Sequence, residues 1–184
     1  GGTGGHVFPA YSLAKNCLKK NFLVEVTTDK RGFKYLKNLD LSLTVINSST
    51  IFNKNIFWTL ISIFKILIAI IKSIATLIRF RPKLVLGMGG HSSFPVCVAA
   101  RILAIPFVIY ENNLYLGKAN RYLLPYATKL FVAYSDLEGV EKKFKKKIEN
   151  IGNLIREEIF NFKTSKISSS GKEINVLVLG GSQA

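Results

Sequence analysis

The chain has two histidines, and each directly follows a cluster of glycines. His6 closes GGTGGH at the start of the sequence, and His91 lies in GMGGHSS, residues 87–93. Glycine in a loop costs conformational entropy on folding. Such clusters bring backbone N–H groups against a ligand, often a phosphate. His6 stands at a predicted helix start, where the helix dipole disfavours imidazolium. A neutral imidazole there can take a proton as a general base; a histidine bonded to backbone for structure is the alternative. For His91 the structural alternative is preferred. Glu111, in YENN at residues 110–113, could orient a sugar, act as base, or cap a helix. A fourth polar turn, GGSQ, follows at 180–183. Neither early loop is a dinucleotide fingerprint: G-x-G-x-x-G would need glycine where Val7 and Ser92 stand. Neither carries the lysine of a P-loop. Cys17 and Cys97 form no metal motif or disulfide framework and are read as reduced packing residues. No metal and no cofactor are expected.

Positioning these loops calls for strands that alternate with helices. Apolar spacing from Tyr11 to Leu18 predicts a helix after the first loop, with Pro9 near its start. Short strands are expected at 23–27, 43–46, 83–86, 107–110, 129–133 and 174–179, and helices at 96–103 and 118–124. The sheet is therefore parallel, α/β and Rossmann-like, with helices on both faces. Ligands of such sheets bind beyond the carboxyl ends of the strands, and all four polar turns fall there. Residues 56–80, IFWTLISIFKILIAIIKSIATLIRF, are long enough to span a bilayer, but Lys65, Lys72 and Arg79 make that costly. Ser62, Lys65, Ala69, Lys72, Thr76 and Arg79 fall on one narrow helical stripe. The wide apolar remainder is expected to cover the sheet, with part of it or its flanks free to touch a bilayer. The run EKKFKKKIEN, 141–150, reads as a basic exposed segment, either a solvated face or an anionic-surface contact. The serine-rich stretch 163–173 reads as a linker.

At 184 residues and 48% hydrophobic, the chain has material for one core and is not a disordered sequence. The formal net charge is +15, which speaks to partners rather than fold. Without an interleaved aromatic-basic RNA motif, nucleic acid is not an expected partner. An anionic membrane surface or a phosphate-bearing substrate fits better. The glycine loop with no preceding strand, and the stop just after GGSQ, suggest a piece of something longer.

Five segments in order, GGTGGHVFPA, LGMGGHSSFP, IPFVIYENN with downstream GKAN, IGNLIR and VLVLGGSQ, resemble the bacterial peptidoglycan glycosyltransferases that add N-acetylglucosamine to lipid I, making lipid II. The resemblance covers nearly the whole chain. It implies the N-terminal half of a two-domain GT-B fold: an acceptor-binding domain over 1–162, a linker over 163–173, and the first strand and turn of a donor domain over 174–184. It implies an inverting transfer from UDP-N-acetylglucosamine to the muramyl C4 hydroxyl of lipid I, at the cytoplasmic face of the bacterial inner membrane. By the family's motifs, His6 would be the base, with Glu111 the other catalytic candidate. Thr3, Gly4, Gly5, Asn113, Arg156 and Ser182 would contact the UDP-sugar, and Gly89, Gly90, His91 and Ser92 the acceptor. The chain departs from the family pattern at Tyr110 and Asn112, where HEQN is usual, at His91 for a tyrosine, at Leu154 for a proline and at Ala184 for a glycine. A membrane-recruiting acceptor half of a two-chain transferase, or a related GT-B lipid glycosyltransferase, would share many of these features.

Overall fold

A computed structural model describes residue 2 and residues 4–49 and 56–161. Thr3, Ser182, the serine-rich stretch and the strand expected at 174–179 lie outside the described residues.

Among the described residues every strand pairing is parallel. β1 (Glu25–Thr28) pairs with β2 (Ser42–Val45). A second sheet runs β3 (Val85–Gly87), β4 (Phe107–Glu111), β5 (Leu130–Val132) and β6 (Ile148–Asn150), in that order. Between them lie α1 (Gly4–Lys19), α2 (Lys30–Leu36), α3 (Ile56–Phe80), α4 (Phe94–Ile102) and α5 (Lys118–Leu123), with a short α6 (Glu157–Phe160) after β6. Strand residues alternate between two apolar layers. Val85, Phe107, Ile109, Leu130 and Val132 join Ala69, Leu77, Cys97, Ala100, Leu123 and Leu124 on one face. Met88, Tyr110 and Ala133, with Leu86 and Phe131 beside them, meet Ala10 of α1 and Leu154 on the other. β4 is buried at all five positions, as a central parallel strand must be.

α3 keeps its predicted bounds but turns the unexpected face inward. Its buried residues are Ser62, Ile66, Ala69, Ser73 and Leu77. The apolar face does not cover the sheet: Phe64 is 64% exposed and Ile71 66%, and Ile63 and Leu67 are exposed with them. The physical reason is close approach. Ala69 and Ser73, wholly buried, let α3 lie tightly along α4, and Ser73 satisfies its hydroxyl on the Ala69 carbonyl at 2.7 Å. Only Ser62 and Ala69 of the expected stripe are buried; Lys65, Lys72 and Arg79 share the outward face with the apolar residues.

The basic run at 141–150 is largely exposed, as expected, and takes regular structure. Lys142–Lys147 is a 3-10 helix and Ile148–Asn150 is the edge strand β6. Lys147 donates to the carbonyls of Leu124, Pro125 and Ala127 at the end of α5, and Phe144 packs on the core. The other four lysines of that helix are exposed.

Candidate active site

Three of the polar turns meet at the carboxyl ends of the strands. α1 begins at Gly4, so His6 lies in its first turn. The imidazole rests along the backbone of the loop after β3: a methyl group at Gly89 would come within 3.2 Å of His6 Cε1, and one at Gly90 within 3.3 Å of Cδ2. Both glycines hold positive φ, 77° and 70°, the left-handed region that side chains disfavour. The GMGGH loop is thus a bare backbone wall against which the ring sits.

A proline joins this turn to the end of β4. Pro9 lies inside α1 and has no N–H, so the Gly5 carbonyl four residues earlier lacks its helical donor. Asn112 Nδ2 donates to that carbonyl at 2.8 Å. The first loop and the YENN loop are therefore latched together beside His6.

Glu111 ends β4 and is 2% exposed. Its Oε1 accepts from the Asn113 amide at 3.2 Å and from Asn113 Nδ2 at 2.7 Å. Its Oε2 accepts from the Gly117 amide and from Asn120 Nδ2, each at 2.9 Å. Asn120 Nδ2 also donates to the Tyr110 carbonyl. With four donors on two oxygens, Glu111 is a fixed acceptor that orients Asn113. Asn120, in the quoted GKAN segment, and Pro9 with Asn112 build the geometry of these turns and were not revealed by residue types alone; a helix proline four residues after a loop glycine was the available signal.

Arg156 reaches the same rim. Its guanidinium carbon lies 4.7 Å from the centroid of the Phe8 ring, one turn along α1 from Gly4. The loop that carries it is held to β4 by the Tyr110 hydroxyl, which donates to the Gly152 carbonyl and accepts from the Leu154 amide.

Burial lowers the pKa of His6 below its ordinary value, with the Glu111 charge and the Met88 carbonyl acting in the opposite sense. His6 Nδ1, the Ser92 hydroxyl, Asn112 Oδ1 and Asn120 Oδ1 are buried and find no hydrogen-bond partner among the described residues. His91 belongs to a different cluster. Its Nε2 lies 2.6 Å from Arg31 Nη2, which in turn donates to Asp29 Oδ2 at 2.9 Å. Burial first, and the Arg31 charge second, keep the His91 pKa low. Asp29 caps α2, accepting from the Arg31 and Gly32 amides. Its burial favours the neutral acid, but the Gly32 amide and Arg31 hold its pKa below normal.

Residues 1–132 match the model of the glycosyltransferase family 28 N-terminal domain. The chain belongs to this family. Over 183 residues it is 35% identical to the UDP-N-acetylglucosamine–N-acetylmuramyl-(pentapeptide) pyrophosphoryl-undecaprenol N-acetylglucosamine transferase of Pelagibacter ubique, covering 100% of this chain and 50% of the relative. The protein of the same name from Rickettsia felis is 34% identical over 192 residues, covering 100% and 51%. The chain thus spans about half the length of the curated relatives it matches. Among solved structures, that of Acinetobacter baumannii MurG superposes with a TM-score of 0.67 at 26% identity, over 81% of this chain and 43% of that one. The Rossmann-like parallel fold expected of a GT-B N-terminal half is the fold observed.

Proposed function

We propose that this family 28 chain is the acceptor-side half of an inverting N-acetylglucosaminyltransferase acting in peptidoglycan synthesis. Its donor is UDP-N-acetylglucosamine and its acceptor a lipid I-type muramyl-pentapeptide diphosphoryl lipid. The observation that carries the reading is the His6 ring, set against Gly89 and Gly90 at the strand ends, where burial lowers its pKa. In the reaction, His6 removes the proton of the muramyl C4 hydroxyl. The oxygen attacks the anomeric carbon from the face opposite the leaving group, and UDP departs with inversion. Thr3, Gly4, Gly5, Asn113, Arg156 and Ser182 contact the UDP-sugar, with Glu111 positioning Asn113 rather than moving the proton. Gly89, Gly90 and Ser92 present backbone and hydroxyl groups to the acceptor. Residues 1–162 form the acceptor domain, 163–173 the linker and 174–184 the start of the donor domain.

The acceptor lipid lies in a membrane, and α3 supplies a docking face. It is 25 residues long and one 18-residue window has a mean hydropathy of 2.2, enough by length and composition to cross a bilayer. Its inward stripe is already packed on α4, so an interfacial lie with Lys65, Lys72 and Arg79 at the headgroups fits better. Ser49, near the strand ends, donates to Ser62 on the inward stripe of α3 at 3.3 Å, so the N-terminal part of the helix lies near the rim. The protein would then work peripherally, at the cytoplasmic face of the inner membrane.

The test is a transfer assay on the full-length gene product with UDP-N-acetylglucosamine and lipid I. Transfer is expected, and His6→Ala should lower turnover at least about a hundredfold, the usual general-base contribution. No transfer by the wild type refutes the activity; near-normal turnover of H6A refutes the base.

A further inference from the structure

A polar cavity of about 280 Å3 opens beside the second glycine loop, on the side of His91 rather than His6. Its walls are the first residues of α2, the 47–49 segment after β2, and His91. All three follow strand carboxyl ends, so the cavity shares a rim with the site above.

The lining offers both donors and acceptors. Arg31 is aimed by its bonds to Asp29 and His91, yet its side chain stays half exposed. Lys30 adds an exposed ammonium. The Ser48 hydroxyl is buried with no partner among the described residues. Against these stand the Asp29 carboxylate, whose oxygens already accept from the Arg31 and Gly32 amides and from the Arg31 guanidinium, and Asn47 Oδ1, which accepts from the Lys30 amide and keeps a second lone pair. A diphosphate is multiply charged, whereas Asp29 is paired with Arg31 and leaves Lys30, among the described residues, as the one uncompensated charge of the lining, a match for a single carboxylate. A peptide carries N–H donors, carbonyl acceptors and a terminal carboxylate, and matches a lining of both kinds. The names of the relatives place a pentapeptide on the same sugar that accepts the transferred group.

Resting on the acceptor reading above, we propose that this cavity seats the peptide arm of the acceptor, with Lys30, Arg31 and Ser48 holding a carboxylate and backbone carbonyls. At about 30 Å3 per water the space takes roughly nine waters, room for a short stretch of peptide. The diphosphate is left to the glycine loops.

The experiment uses the full-length protein and two lipid-linked acceptors, one with the pentapeptide and one with the peptide removed. Lys30→Gln and Ser48→Ala change exposed or unpartnered groups and should leave melting temperature unchanged. With the peptide-bearing acceptor, each should lower kcat/KM about three- to tenfold through KM. With the peptide-free acceptor, and for the KM of UDP-N-acetylglucosamine, neither should differ from wild type. A soluble muramyl pentapeptide titrated into the wild type should bind, and bind more weakly to K30Q. Equal losses with both acceptors would assign the cavity to the shared diphosphate or to structure and overturn the proposal. Variants that match the wild type on both acceptors overturn it as well, while leaving the transferase intact. A wild type that transfers to neither acceptor removes the transferase reading and the peptide site with it.

Discussion

Glu111 shows how a carboxylate at a strand end can be read in two ways that a substitution separates. A general base needs a free lone pair facing the substrate, whereas both Glu111 oxygens are taken by Asn113, Gly117 and Asn120. Removing it leaves buried donors unsatisfied, at about 1–3 kcal/mol each. Glu111→Ala in the full-length protein is therefore expected to lower the melting temperature by several degrees. In Glu111→Gln an NH2 group would face these donors, so Gln should not restore the fold fully. An E111A protein that melts like the wild type but has lost all turnover would instead make Glu111 the base. The two histidines give a pH test of the same geometry. Their native pKa values lie below the ordinary value near 6.5, so at acid pH the unfolded chain binds more protons than the native one. Above about pH 6.5 both states are neutral and no penalty applies. Stability should fall as pH drops through 6.5 and level off once the native imidazoles charge. Thermal melts at pH 7.5 and 5.5 should show a smaller drop in a His6→Asn, His91→Asn protein than in the wild type.

At the scale of elements, position was legible where local chemistry decides it and orientation was not. The bounds of α3 followed from its apolar run and from Pro82, which stops a helix, and they were recovered at Ile56 and Phe80. Which face turns inward depends on what α4 presents, and small buried residues there outcompete larger apolar ones by allowing close approach. β6 was hidden for a similar reason: Ile148–Asn150 carries one apolar residue and is a strand only because β5 offers it a ladder. Of the site, the glycine loops, His6, Glu111 and Asn113 were readable as a set. The Pro9–Gly5–Asn112 latch and the role of Asn120 were not, since each depends on a partner about ten or a hundred residues away. The packing of α3 makes a contrast that melting can check. Ser73→Leu overfills a wholly buried position against α4 and should cost about 1–3 kcal/mol. Ile71→Ser on the outward face should stay within about 0.5 kcal/mol. If I71S were the more damaging of the two, the helix would have to be turned the other way.

Taken as a whole, the chain combines a net charge of +15 with an apolar helix face left uncovered among the described residues. Either feature alone has an ordinary explanation. A cationic surface is soluble, and an apolar patch can await another protein. On α3 the two features meet in the composition of a bilayer interface: in the peripheral reading proposed above, Phe57, Trp58, Phe64 and Ile71 would face acyl chains, and Lys65, Lys72 and Arg79 headgroups. Each cation near an anionic leaflet contributes about 1 kcal/mol, and that attraction falls off within a Debye length of about 10 Å at 0.1 M salt. Apolar insertion has no such salt dependence. Binding of the full-length protein to vesicles should therefore be stronger on anionic than on neutral lipid and should weaken as salt rises from 0.1 to 0.5 M. A Phe64→Ser, Ile71→Ser protein should lose binding at both salt concentrations while keeping its melting temperature. Vesicle sedimentation in which neither salt nor this pair of substitutions changes the bound fraction would show that the uncovered face of α3 serves a protein partner instead.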